Sequence, residues 1–245
     1  MKRSILFWLL LFCFIISDCD QNLSEHIIIR FTNDIGIINN NTIQYNAYTK
    51  NEWKKKHYRT NIPNGVKNIF QIDTNIFGFI KNNKIQFYKS NFNNDAKITW
   101  ERIINMPDFV LPDKYENVIM GPFYGSFCVI VNNELQLYLK MNSQEEDKIT
   151  FSLPNGYKDV FIMNDTLIGI IMETDIVNIY CLNLAGEIYW KKYDDMEIIL
   201  PIGYKYIFPY GYNHGIGIVF DNNIQFYNIG YDLIKNDKIK ELLLD

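Results

Sequence analysis

The stretch Phe77-Gly78-Phe79-Ile80-Lys81-Asn82-Asn83-Lys84-Ile85-Gln86-Phe87-Tyr88 decides the fold. Two apolar runs flank Asn82-Asn83, and asparagine accepts the positive φ that a tight hairpin turn demands. The pattern returns four times: Ile35-Gly36-Ile37-Ile38 with Ile43-Gln44-Tyr45, Phe127-Cys128-Val129-Ile130 with Leu135-Gln136-Leu137-Tyr138, Ile168-Gly169-Ile170-Ile171 with Val177-Asn178-Ile179-Tyr180, and Ile216-Gly217-Ile218-Val219 with Ile224-Gln225-Phe226-Tyr227. The glycine, or Cys128 in its place, falls at 36, 78, 128, 169 and 217, so the units lie 42, 50, 41 and 48 residues apart. Self-similarity at such a period marks a repeat architecture.

A second motif sits between these copies in constant order: Ile62-Pro63-Asn64-Gly65, Leu111-Pro112-Asp113-Lys114, Leu153-Pro154-Asn155-Gly156 and Leu200-Pro201-Ile202-Gly203, each followed by an apolar run. Proline is excluded from a central strand, so this motif is a loop entering one. A third piece carries aromatic and basic residues, as in Glu52-Trp53-Lys54, Ile98-Thr99-Trp100-Glu101-Arg102, Ile149-Thr150-Phe151 and Glu187-Ile188-Tyr189-Trp190-Lys191. Each unit therefore holds four short strands, A to D, parted by turns. Four strands per 40 to 50 residues is the grammar of a propeller blade. The expected fold is all-β, a five-bladed β-propeller of four-stranded antiparallel blades. Residues 25–31 would supply the innermost strand of the first blade and residues 238–244 the outermost strand of the last, which closes the ring without an interlocked seam.

The segment Asn178-Ile179-Tyr180-Cys181-Leu182-Asn183-Leu184-Ala185-Gly186-Glu187-Ile188-Tyr189-Trp190 resembles the C-turn-D hairpin of quinoprotein-like propeller repeats, whose units often end Gly-x-x-x-Trp. The resemblance is partial, clear in one unit and fainter around Trp53 and Trp100. It implies blade architecture; it carries over no cofactor residue, and no cofactor is expected.

The chain of 245 residues is 48% hydrophobic and 16% aromatic, enough to bury a sizeable core. Its formal charge of −4 leaves no electrostatic footprint for nucleic acid. The N-terminus reads as a targeting segment: Lys2 and Arg3, then twelve apolar residues from Ile5 to Ile16, fewer than the roughly 20 a spanning helix needs. The division expected is a signal peptide over 1–18 and the propeller over 19–245. Ile16-Ser17-Asp18-Cys19 resembles a relaxed lipobox of bacterial lipoproteins, with Asp18 departing from the small residue normal there. That resemblance implies lipidation at Cys19, export, and attachment at the periplasmic or outer face of a membrane. An uncleaved N-terminal anchor and simple secretion are the alternatives. Of the other cysteines, Cys13 lies in the leader, and Cys128 and Cys181 fall in apolar strands where core packing accounts for them.

The chemistry of catalysis is poorly represented. Some five-bladed propellers cleave glycans with paired carboxylates on innermost strands, and this chain resembles them in blade count alone. Only Asp159 is acidic within the A strands; Asp34, Asp73 and Asp165 lie at A–B corners, where turn chemistry accounts for them. Three histidines, no nucleophile elbow, no phosphate-cradling glycine loop and no metal spacing complete the survey. The chain is read as a non-catalytic binding or scaffolding domain, with a glycan hydrolase using loop-borne carboxylates as the alternative. The candidate ligand-binding residues lie in the two long aromatic A–B connections: Phe123 and Tyr124 in one, Tyr210, Tyr212, Asn213 and His214 in the other. Aromatic rings beside amide and imidazole groups suit a protein or glycan partner. The competing account has the same rings packing between blades.

Overall fold

A computed structural model describes residues 27–30, 34–39, 42–49, 52–73, 75–92, 98–141, 148–183, 189–210, 215–221, 223–228 and 237–243. Among them every regular element is a strand. The first sheet runs β1 (Ile27–Arg30), β2 (Asp34–Asn39), β3 (Thr42–Thr49), β4 (Glu52–Asn61). The second contains β5 (Asn68–Asp73), β6 (Ile76–Lys81), β7 (Lys84–Phe92), β8 (Ile98–Arg102) and β9 (Phe109–Val110). The third is β10 (Tyr115–Met120), β11 (Phe127–Val131), β12 (Glu134–Tyr138), β13 (Lys148–Ser152). The fourth is β14 (Tyr157–Ile162), β15 (Leu167–Met172), β16 (Ile176–Asn183), β17 (Tyr189–Ile199), and the last β18 (Tyr206–Tyr210), β19 (Gly215–Val219), β20 (Asn223–Asn228), β21 (Asp237–Leu243). All pairings are antiparallel between sequence neighbours, apart from β9, which joins β7. The first strands of the sheets touch in sequence, β1 with β5, β5 with β10, β10 with β14, β14 with β18, and β18 returns to β1, giving a propeller-like ring.

Four of the sheets have the four-stranded make-up expected of every unit; the second has five strands. The reason is an interruption. β8 pairs with residues 88–92 of β7 and β9 with Lys84 and Ile85 of the same edge, so β9 resumes the outer strand after an excursion over residues 103–108. The excursion is pinned where Arg102 donates to Asp108 at 2.6 Å, while Ile103 and Met106 pack against the core.

The strand order follows from the residues. Both faces of a middle strand are covered by neighbouring sheets, so all five residues of β11 and of β19 are buried, and the sequence there is apolar throughout rather than alternating. The repeated glycine has a steric cause. A Cβ at Gly78 would lie 2.3 Å from the Phe70 ring, at Gly169 2.4 Å from Phe161, and at Gly217 2.2 Å from Phe208. The inner-strand phenylalanine occupies the glycine's missing side chain. In the third sheet the register partners are Cys128 and Ile119, a larger residue opposite a smaller one. Four apolar clusters each lie between consecutive sheets, for instance Phe70, Phe87, Phe127 and Tyr138 between the second and third. The turns behave as read: Asn82, Asn83, Asn132 and Asn133 all have positive φ, between 51° and 61°.

Candidate functional site

The A–B corner of the third sheet is a tight loop built around a buried serine. The Ser126 hydroxyl donates to the Phe123 carbonyl at 2.6 Å and accepts from the Phe123 N–H at 2.9 Å, and Gly121 N–H donates to the Ser126 carbonyl at 3.0 Å. A side chain at Gly121 would strike the Ser126 hydroxyl, and Gly125 takes φ +76°. This closure sends the two aromatics in opposite directions. Phe123 packs against the core between the third and fourth sheets, whereas Tyr124 is 82% exposed.

The Tyr124 hydroxyl lies beside the Asp73 carboxylate, whose hydrogen bonding and charge hold the phenol above its usual range. Asp73 is the last residue of β5 and only 6% exposed. A buried acid of one sheet thus faces an exposed tyrosine of the next. Asp73 pairs with Ile76 at the β5–β6 corner, the turn position read from the sequence, and is buried there.

Of the six residues expected at the binding face, Tyr124 alone is described as exposed. Phe123 is half-buried and packs against the core between the third and fourth sheets. Tyr210 ends β18, its backbone paired with Gly215. Tyr212, Asn213 and His214 lie outside the described residues, as do Cys19 and the 1–18 leader. Cys128 is buried and Cys181 half-buried, both as free thiols, and burial pushes the Cys128 thiol up.

At the opposite ends of the inner strands lies a second polar group. The side-chain oxygens of Asn68, Asn117 and Asp159 each accept from the next residue's N–H at 2.8 Å, and the last two sit at register shifts of their strands. Burial pushes the Asp159 carboxyl up, opposed by the Val160 N–H, by a hydrogen bond from the Asn117 amide, and by Lys158. The acid is bound by an amide and not by a second carboxylate. Nearby, tyrosines bridge sheets. Tyr157 donates to Glu116; Lys158 donates to Tyr204 at 2.9 Å and to Asp175 at 3.1 Å. Among the described residues no group of three histidines, cysteines or acids is placed to hold a metal ion, and no helix is long and apolar enough to cross a membrane.

No protein-family model matches the chain, and no curated protein matches it. One similar solved structure is that of a functionally unknown protein from Desulfotomaculum acetoxidans DSM 771, 10% identical, with a TM-score of 0.44 over 90% of this chain and 72% of that one.

Proposed function

We propose that the chain is a non-catalytic binding propeller of five blades, exported and tethered at its N-terminus, that engages a protein or glycan with the face where the A strands end. The observation that supports it is the Tyr124–Asp73 pair. Leaving an aromatic ring in water forgoes the stabilisation its burial would bring, and fixing its hydroxyl on a buried acid costs side-chain freedom. A ring so presented is pre-ordered for a partner, which lowers the entropy lost on binding. A hydrolase has less support, since the carboxyl raised by burial, Asp159, takes its hydrogen bond from Asn117.

The test uses the full chain immobilised against envelope proteins and a glycan array. Tyr124→Ala should weaken capture by about tenfold or more, the scale of a buried aromatic anchor, at unchanged melting temperature. Undiminished capture would remove this face from consideration. The tether rests on the leader and Cys19, and palmitate labelling that persists in Cys19→Ser would argue against it.

A further inference from the structure

The outer strands of the first two sheets part to leave a cleft of about 610 Å³, lined by Thr60, Asn61, Ile62, Pro63, Asn64, Ile98, Thr99 and Trp100. One position sets this junction apart from the others. Opposite the apolar residue that precedes the repeated Gln or Asn, the outer strands place Thr60 against Ile43, Phe109 against Ile85, Phe151 against Leu135, Ile198 against Val177 and Leu242 against Ile224. Four are large and apolar; the first is threonine. Between the third and fourth sheets, Phe151 lies edge-on to Trp190, 6.4 Å between centroids, and Trp190 is 6% exposed. Trp100 holds the register place of Trp190, two residues beyond the repeat tyrosine's partner. Trp100 lines the cleft together with Thr60, which stands where the third sheet has Phe151.

The lining chemistry narrows the occupant. No lining residue carries a formal charge, which favours a neutral occupant. Trp100 stands edge-on to Phe77 and Phe79 at 5.2 and 5.0 Å, which fixes its plane, and its ring N–H is buried with no hydrogen-bond partner among the described residues. Thr60 already spends its hydroxyl on the Ile98 carbonyl at 2.8 Å. Asn61, Asn64 and Thr99 remain exposed at the rim. An apolar wall with a rim of amides and a hydroxyl matches a molecule that has a flat C–H face and a girdle of hydroxyls. The volume is within the range of about 300–1,000 Å³ of small-molecule sites. We infer that this cleft binds a neutral saccharide, one sugar ring against Trp100 and its hydroxyls on Asn61, Asn64 and Thr99. The inference is independent of the Tyr124 face.

The experiment titrates the full chain with cellobiose and with chitobiose, read by tryptophan fluorescence and calorimetry, with a proline-rich decapeptide as a rival probe. Saturable binding of at least one disaccharide is expected. Thr60→Phe, which copies Phe151, should abolish that binding at an equal or higher melting temperature, and Trp100→Phe should weaken it about tenfold or more. Should Thr60→Phe fail to fold, Asn61→Ala with Thr99→Ala serves instead, at exposed positions, and should weaken it likewise. Tyr124→Ala should leave it unchanged, which keeps failure at the two faces distinguishable. No binding of either sugar, binding that survives the cleft variants, or binding of the decapeptide alone overturns the inference.

Discussion

Gly169 and Phe161 are two halves of one packing decision, and the third sheet shows the other solution in Cys128 and Ile119. A side chain at 169 meets the Phe161 ring, so Gly169→Cys should cost about 1–3 kcal/mol by overpacking. Adding Phe161→Ile should restore part of it, and a double-mutant cycle in urea should give a coupling of at least ~1 kcal/mol; additive costs would contradict the lock. Asp159 offers a comparison of the same kind, since Asn68 and Asn117 hold equivalent places. Burial raises its folded carboxyl above the ordinary value of 3.8, so ionisation opposes folding: the penalty is absent below the unfolded value, grows as pH rises from there through the folded one, and is full above it. Asp159→Asn should therefore raise the melting temperature at pH 7, with the gain shrinking towards nothing below pH 3.8. A gain independent of pH would refute this. The glycine repeat was legible because its partners are spaced along one unit. Asp73 was not, because its partner Tyr124 belongs to the next sheet and no local pattern links them.

Outer strands are the least regular elements. The registers of β4, β17 and β21 all shift against their partners, and β8 breaks off for residues 103–108 before β9 resumes. What holds that excursion is decided by magnitudes. The Arg102–Asp108 pair is 49% and 22% exposed, and such pairs contribute about 0–1 kcal/mol. Phe109 places its ring 5.0 Å from Phe127 and 4.7 Å from Tyr138, and ring truncation in a core costs about 3–5 kcal/mol, less for a half-buried ring. Phe109→Ala should then destabilise the fold by roughly 2–3 kcal/mol and Asp108→Ala by under about 1, both measured by denaturant midpoint; the reverse order would make the ion pair the anchor. The same irregularity hid the cleft. Thr60 and Phe151 are equivalent by pairing, but the outer strands reach that position through segments of different length, so their alignment appears only once the strands are paired.

The ring closes through β18 and β1 with each sheet drawn from one continuous stretch of chain, so among the described residues no strand staples the last sheet to the first. Closure depends on side-by-side packing alone. Amide exchange should be faster in β1 and β21 than in β11 and β15, whose residues sit mid-sheet between packed layers; equal protection would show a seam as firm as the other junctions. Five repeats were readable from spacing, and the absent staple followed from which strands the ends supply. The irregular rim has a consequence for behaviour in crowded solution. A kinked border offers a foreign strand few consecutive amides to pair with, and β13 is the single outer strand among those described with neither kink nor break. Self-association of this domain, when concentrated or partly opened, should therefore begin at Lys148–Ser152, the one straight border left for another chain to extend.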